Sequence, residues 1–325
     1  MGRFLFRNFL TIGIVCAAAA GVRAPGPGLA LQEAGAMPVI IFVVFVCSGL
    51  SLETGHFLRE ARNLRAPLYA ILAVSGIFPV MGYAIGKAFA IAPSEFVGLM
   101  VVACCPTTLA SGIILSTLAG GSAPIAILIT VVCSMTAVLL MPIALQVALG
   151  LGFHVELPVA RMMLRLAYLI ILPTVIGQVL RRPLIRQVER YRPLLRFLPI
   201  VLVVLMILIA VSRGSEELRG NGLPLILHVT VVVVLLHGVM LVINYTAGRA
   251  MRLPDPALRS LTIVASHKTI PISVFVAITY FPDYPTAVVP CVLFHLLQIL
   301  VDSVIVNAWA RRPSRLDRTP RRSEP

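Results

Sequence analysis

The sequence predicts an all-α polytopic membrane protein whose ten transmembrane helices form two inverted five-helix repeats. Three observations predict it. Hydrophobic residues make up 59% of the 325-residue chain and charged residues only 12%, where a soluble domain carries about 25% charged residues. The apolar residues come in long uncharged blocks, such as Val39 to Leu52, Phe96 to Leu118 and Leu198 to Ser212. About 20 apolar residues let a helix cross a ~30 Å hydrocarbon core. The basic residues fall between the blocks, concentrated in alternate loops. A large soluble helical core is excluded, because nothing in the sequence could form its polar shell.

Ten spans follow in order: Phe4–Gly21, Ala36–Leu52, Ala66–Ala90, Glu95–Leu118, Ser122–Leu149, Met163–Leu180, Pro193–Ser212, Leu223–Thr246, Ala257–Phe281 and Pro285–Ala310. The first is preceded by Arg3 and Arg7 and runs into Ala17–Ala20. Those features also fit a signal peptide. The segment is read here as a retained helix; cleavage would leave nine spans and the same tail. Span three carries Gly82-Tyr83-Ala84-Ile85-Gly86, a short GxxxG that close helix packing explains. One set of alternate loops, with the N-terminus and the tail, holds 20 of the 27 basic residues, including Arg59, Arg62, Arg65, Arg181 to Arg196, and Arg249 to Arg259. The other side holds Arg23, Lys87, Arg161, Arg165, Arg213 and Arg219. Cytoplasmic loops carry the Lys/Arg excess, which puts both termini in the cytoplasm and the protein in the inner or plasma membrane. One missed span would scramble the alternation.

The first repeat covers 1–155, the second, inverted repeat 156–311, and a basic tail 312–325 without apolar periodicity is expected to lack fixed structure. The halves are matched by two proline-containing polar clusters. Span four holds Cys105, Pro106, Thr107, Thr108 and Ser111, and span nine holds Ser266, His267, Lys268, Thr269 and Pro271. The prolines are 165 positions apart, about half the chain. Five spans per half is odd, so the halves have opposite topology, a hallmark of secondary transporters, and paired Pro-interrupted spans point to the binding site. The bland alternative is a proline kink whose hydroxyls bond their own helix.

Lys268 lies about a dozen residues from either end of its span, too deep for its stem to reach the interface at ~1.5 Å per residue. A lysine at that depth costs about 2.5–3.5 kcal/mol and faces a cavity or a partner. Span ten offers His295, Gln298 and Asp302 at i, i+3, i+7, one helical face, with Asp302 a candidate ion partner. Span five offers Thr130, Cys133 and Ser134, for which helix packing is an equal explanation. The net charge of +14 does not indicate nucleic acid, since the arginines form no amphipathic basic face. The six cysteines lie in apolar spans without disulfide or zinc spacing, and the six histidines show no metal-ligand pair. No nucleophile–base constellation marks an enzyme.

Four motifs carry a resemblance. Phe45-Val46-Cys47-Ser48-Gly49-Leu50-Ser51-Leu52, Cys105-Pro106-Thr107-Thr108, Ser266-His267-Lys268-Thr269 and Phe294-His295-Leu296-Leu297-Gln298 resemble, in order, motifs of spans two, four, nine and ten in the SBF-like branch of the bile acid/sodium symporter superfamily. The resemblance implies a panel of spans one, two, six and seven. It implies a core of spans three, four, five, eight, nine and ten, with four and nine unwound and crossing. It also implies a secondary active transporter moving an organic anion, coupled to sodium or protons, with no cofactor beyond that ion. Half-helix N-termini at the crossing favour an anion. The sequence departs from sodium-coupled members where span nine would supply a carboxylate and a glutamine: His267, Lys268 and Thr269 stand there. An ammonium in a cation's place makes protonation the natural coupling event. Two alternatives are an arsenite-type efflux permease using Cys104, Cys105 and Cys133 as soft ligands, and a non-transporting regulatory membrane protein, for which the chain offers no signalling domain. The partners expected are the lipid bilayer and a small anionic substrate.

Reporter fusions at Arg186 and Arg315 test the topology. Both are expected to read cytoplasmic; an external reading from either contradicts ten spans.

Overall fold

A computed structural model of the protein describes residues 9–52, 64–108, 111–153 and 157–310. The basic tail 312–325, the loop with Arg59 and Arg62, and the first residues of the expected first span lie outside the described residues. Every described element is a helix. In chain order these are α1 (Phe9–Arg23), α2 (Gly26–Glu33), α3 (Ala36–Ser51), α4 (Arg65–Ala88), α5 (Pro93–Cys104), α6 (Ser111–Leu118), α7 (Ala123–Phe153), α8 (Val159–Arg181), α9 (Ile185–Arg190), α10 (Arg192–Arg213), α11 (Ser215–Ala250), α12 (Asp255–Ser266), α13 (Ile270–Tyr280) and α14 (Val288–Ala310). A 3₁₀ turn, Pro285–Ala287, leads into α14. Single π-helical turns interrupt α4 at Ala73–Ile77 and α8 at Ala167–Ile171.

Among the described residues, seven helical stretches are long and apolar enough to cross a membrane: 65–88, 123–151, 159–181, 192–213, 222–250, 255–280 and 285–309. An eighth exists if α1 and α2, bent by 95°, count as one. The remaining expected spans fall on α3, with 16 residues, and on α5 with α6, at 12 and 8 residues. At 1.5 Å per residue α3 is ~24 Å long and α5 ~18 Å, each short of the ~30 Å core. The first span also differs from expectation: the helix runs to Arg23 and then turns sharply at Ala24–Pro25.

The helices pack in two groups. The first comprises α1, α2, α3, α8 and α10, and the second comprises α4 to α7 with α11 to α14. Glycines set the closest approaches. Gly49 of α3 lies against the Thr174 carbonyl and the Gly177 Cα of α8, and Gly98 of α5 lies on the backbone of Ala287. Gln178 and Arg181 of α8 then donate to the orphan carbonyls at the end of α3: Gln178 to Leu52 at 3.0 Å and Arg181 to Leu50 at 2.6 Å. Leu151, Leu164 and Val304 are at least 70% exposed, as expected of side chains that face lipid. The apolar stretch through α12 and α13 is the opposite, buried without interruption from Ser260 to Ile278.

A Cβ at Gly49 would collide with backbone of α8, whereas one at Gly220 meets open space. Gly49→Val is therefore expected to cost about 1–3 kcal/mol and to lower the thermal unfolding midpoint in detergent, while Gly220→Ala leaves it unchanged or raised. Equal midpoints for the two variants would contradict this packing.

Candidate functional site

Two helices break inside the second group, and the breaks touch. Pro106 disfavours helical geometry at the residue before it. Cys105 is accordingly extended (φ −64°, ψ 151°), and α5 ends at Cys104. In the second break, His267 (φ −79°, ψ 146°) and Thr269 (φ −88°, ψ 128°) are extended. Pro271 sits in the first turn of α13, where its missing N–H costs nothing. The break thus lies upstream of Pro271, so this proline starts a helix rather than kinking one. The amide of Thr269 donates to the Pro106 carbonyl at 3.1 Å, joining the breaks. The broken helices run antiparallel. Ser116 near the end of α6 bonds Ser260 in α12 at 2.9 Å, while Thr286, just beyond α13, donates to Glu95 at the start of α5 at 2.6 Å.

Lys268 lies between the breaks, 2% exposed. Its ammonium donates to the carbonyls of Cys105 (2.7 Å), Ala103 (2.8 Å) and Val74 (3.1 Å), and sits 3.9 Å from the centroid of the Phe78 ring. Each carbonyl is free for a local reason. Ala103 and Cys105 lie at the end of α5, where the following turn is missing. In the π turn of α4, the Phe78 N–H reaches back to Ala73 instead of Val74. The next donor would be residue 79, a proline. An ammonium has three N–H groups, and three carbonyls take them.

Gln298 of α14 clamps the lysine's own peptide groups. Its Oε1 accepts from the Lys268 amide at 2.8 Å, and its Nε2 donates to the Lys268 carbonyl at 2.9 Å. The same Nε2 lies 2.9 Å from His295 Nδ1. Asp302, one turn further and fully buried, does not pair with Lys268. Its Oδ1 is 2.8 Å from His237 Nε2, and its Oδ2 bonds His267 Nε2. The expectation that Asp302 is a partner of Lys268 is therefore corrected: the backbone carbonyls already occupy the ammonium, and two histidines occupy the carboxylate.

The remaining expected residues divide. Thr107 and Thr108 are buried in the first break, Thr108 accepting from Ser111 at 3.2 Å and Thr107 Oγ1 having no partner. Thr130 spends its hydroxyl on the Ala126 carbonyl of its own helix at 2.8 Å, the packing alternative. Ser134 is buried on α7. Cys104, Cys105, Cys133 and Cys291 are buried free thiols. Sequence reasoning missed His237. Its signal was present, an ionisable residue within the apolar run Leu223–Thr246, which by default marks a site. It also missed the Val74 carbonyl and Asn244, which donates to Ser266 at 2.9 Å.

A many-helix apolar chain with two broken helices that meet, antiparallel, around a buried cation is a membrane protein of the transporter class. The chain belongs to the SBF-like CPA transporter family, whose pattern matches residues 6–311, and with it to the bile acid/sodium symporter superfamily. It is similar to a probable chloroplastic sodium/metabolite cotransporter of Oryza sativa subsp. indica, 28% identical over 327 aligned positions, which cover 95% of this chain and 77% of that protein. It is 25% identical over 316 positions to sodium/bile acid cotransporter 7 of Mus musculus, covering 92% of each. It is 22% identical over 290 positions to an uncharacterized sodium-dependent transporter of Bacillus subtilis (strain 168), covering 88% of this chain and 86% of that one.

Gln298→Leu leaves the amide and carbonyl of Lys268 buried without partners, at about 1–3 kcal/mol each. The expected result is a lower thermal midpoint in detergent, with Gln298→Glu restoring only the acceptor half. Unchanged stability of Gln298→Leu would mean that the clamp does not hold the break.

Proposed function

We propose that this chain is a secondary active transporter that moves a small organic anion across the membrane, coupled to sodium or protons. The observation that carries the reading is the antiparallel crossing of two broken helices around the caged ammonium. Irregular backbone at membrane depth is tolerated only where protein or a cavity satisfies it. In transporters such breaks lie at the substrate and ion sites. The N-termini of α6 and α13 begin at this crossing, and their positive ends suit an anion. The relatives named sodium/metabolite and sodium/bile acid cotransporters support a small-molecule substrate.

The architecture proposed with it is ten spans in two inverted repeats, 1–155 and 156–311. The bent pair α1–α2, short α3 and the pair α5–α6 supply the three spans beyond the seven long ones. The antiparallel run of α5–α6 against α12–α13 supports the inversion. The group of α1, α2, α3, α8 and α10 is the panel, and the other group is the core. Residues 105–108, 111, 267–269, 271, 295, 298 and 302 form the binding region, while Thr130 and Ser134 are at its edge. Both termini are cytoplasmic in a multi-pass inner or plasma membrane protein.

Uptake into proteoliposomes, with a panel of organic anions and independent sodium and pH gradients, tests the function. Lys268→Ala is expected to abolish gradient-driven uptake. Lys268→Arg should fail as well, because a planar guanidinium cannot place three N–H groups on carbonyls arranged for an ammonium. Wild-type uptake by Lys268→Ala would refute a role for the cage, and absence of uptake of every anion under both gradients would refute the transport reading.

A further inference from the structure

The cluster of His237, Asp302 and His267 lies beside the lysine cage, and no hydrogen bond between side chains joins the two among the described residues. All three side chains are almost wholly buried, with Asp302 and His267 at 0% exposure. A carboxylate carries no proton, so each Nε2 must bring the hydrogen to Asp302. That fixes both rings as Nε2–H tautomers and leaves each Nδ1 as an acceptor. Both Nδ1 atoms are buried and have no hydrogen-bond partner. In this state the cluster has a formal charge of −1, out of contact with water. Lys268 does not pair with it, since its three N–H groups are held by carbonyls.

We propose that this cluster is the proton-binding site of the protein: it takes up and releases one proton at an imidazole Nδ1, while Lys268 stays a fixed cation. The transport role of that proton rests on the function proposed above. In the step, a proton from the aqueous phase forms one N–H bond at Nδ1 of His237 or His267. Both Nε2–H···O bonds persist, and the cluster passes from −1 to neutral. An imidazolium then sits against the buried carboxylate, which is otherwise without a compensating charge in contact. Lys268 is poorly suited to the same task. A neutral amine has two N–H groups and would leave one of the three carbonyls bare. His267 is itself the first residue of the second break and adjacent to Lys268. Charging its ring therefore acts on the segment that joins the crossing helices.

The ionisable groups around the cluster are few. The second break brings Lys268, α14 brings His295 within electrostatic reach of His267, α5 brings Cys104 and Cys105, and α7 brings Cys133. From α4 the Phe78 ring packs on Phe294 of α14, which lies edge-on to His237, and the ionisable residues of α4 are Arg65, Tyr69, Tyr83 and Lys87. α6 has no ionisable side chain. α13 has only Tyr280 at its far end, α12 has Asp255 and Arg259 near its start, α1 has Cys16 and Arg23, and α10 has arginines in its end turns. Among the described residues, Lys268 is the one strongly basic group placed beside the cluster, and the cage holds it.

The test is a titration of the full-length protein in lipid nanodiscs with ¹⁵N-labelled histidine, read by imidazole nitrogen shifts. At alkaline pH two of the histidines are expected to be Nε2–H tautomers. On acidification they should take up a single proton in one shared transition. Their signals are assigned by loss in His237→Gln and His267→Gln. Asp302→Asn should move the transition by at least about one pH unit. Absence of a shared two-histidine transition in the wild type, which needs no variant to fold, overturns the proposal. So does a transition unmoved in folded Asp302→Asn. A second arm uses proteoliposomes loaded with a pH-sensitive dye and driven by a bile acid or short carboxylates. Anion-driven proton movement in the wild type, lost in His237→Gln, supports the coupling role. If no anion moves while the shared transition is present, the transport reading fails and the proton site stands. If an anion moves independently of pH and the histidines are silent, the proton site fails and transport stands.

Discussion

Three backbone carbonyls that no helix can satisfy meet one ammonium, and the rest of the core depends on that match. In hydrocarbon an unpaired carbonyl costs several kcal/mol, and an unpaired ammonium costs more. Neither half is stable alone. Val74 loses its donor to a π turn followed by Pro79, and Ala103 and Cys105 lose theirs where α5 stops. Lys268 reaches all three at 2.7–3.1 Å. One side chain thereby ties α4, α5 and the second break together, and the α5–α6 break becomes tolerable at membrane depth.

Around that tie, neutral groups supply rigidity. Gln298 holds the lysine's backbone at both its amide and its carbonyl, and the Thr269–Pro106 bond joins the breaks directly. The ammonium lies at the C-terminal, negative end of α5, while the N-termini of α6 and α13 open onto the same region. On the proposed reading, the chain itself provides a cation at the crossing. The relatives named sodium cotransporters or sodium-dependent transporters are 22–28% identical to this chain.

Much of the site was legible from the spacing of residues. Two prolines half a chain apart marked the two breaks, and Lys268 was conspicuous as a charge too deep to reach the interface. The i, i+3, i+7 pattern put His295, Gln298 and Asp302 on one face, and all three do bear on the second break or its neighbours. Pairing was not legible. Asp302 was a reasonable partner for Lys268 by charge, yet it meets two histidines. His237 was visible as an ionisable residue in an apolar run, but its contact with Asp302 depends on how α11 lies against α14.

What the sequence determined by itself is what one-dimensional physics controls. Apolar block length makes the protein multi-pass and helical, proline position sets the breaks, and the depth of one lysine demands enclosure. Only the tertiary structure decided which groups answer that demand. A π turn in α4 is a shift of a single hydrogen bond, from Val74 to Ala73, with no distinct compositional mark. Whether a buried ammonium takes carbonyls or a carboxylate turns on differences of an ångström in helix packing. Such distances are settled between elements, at contacts like Gly49 on α8 and Gly98 on Ala287, and not within any one of them.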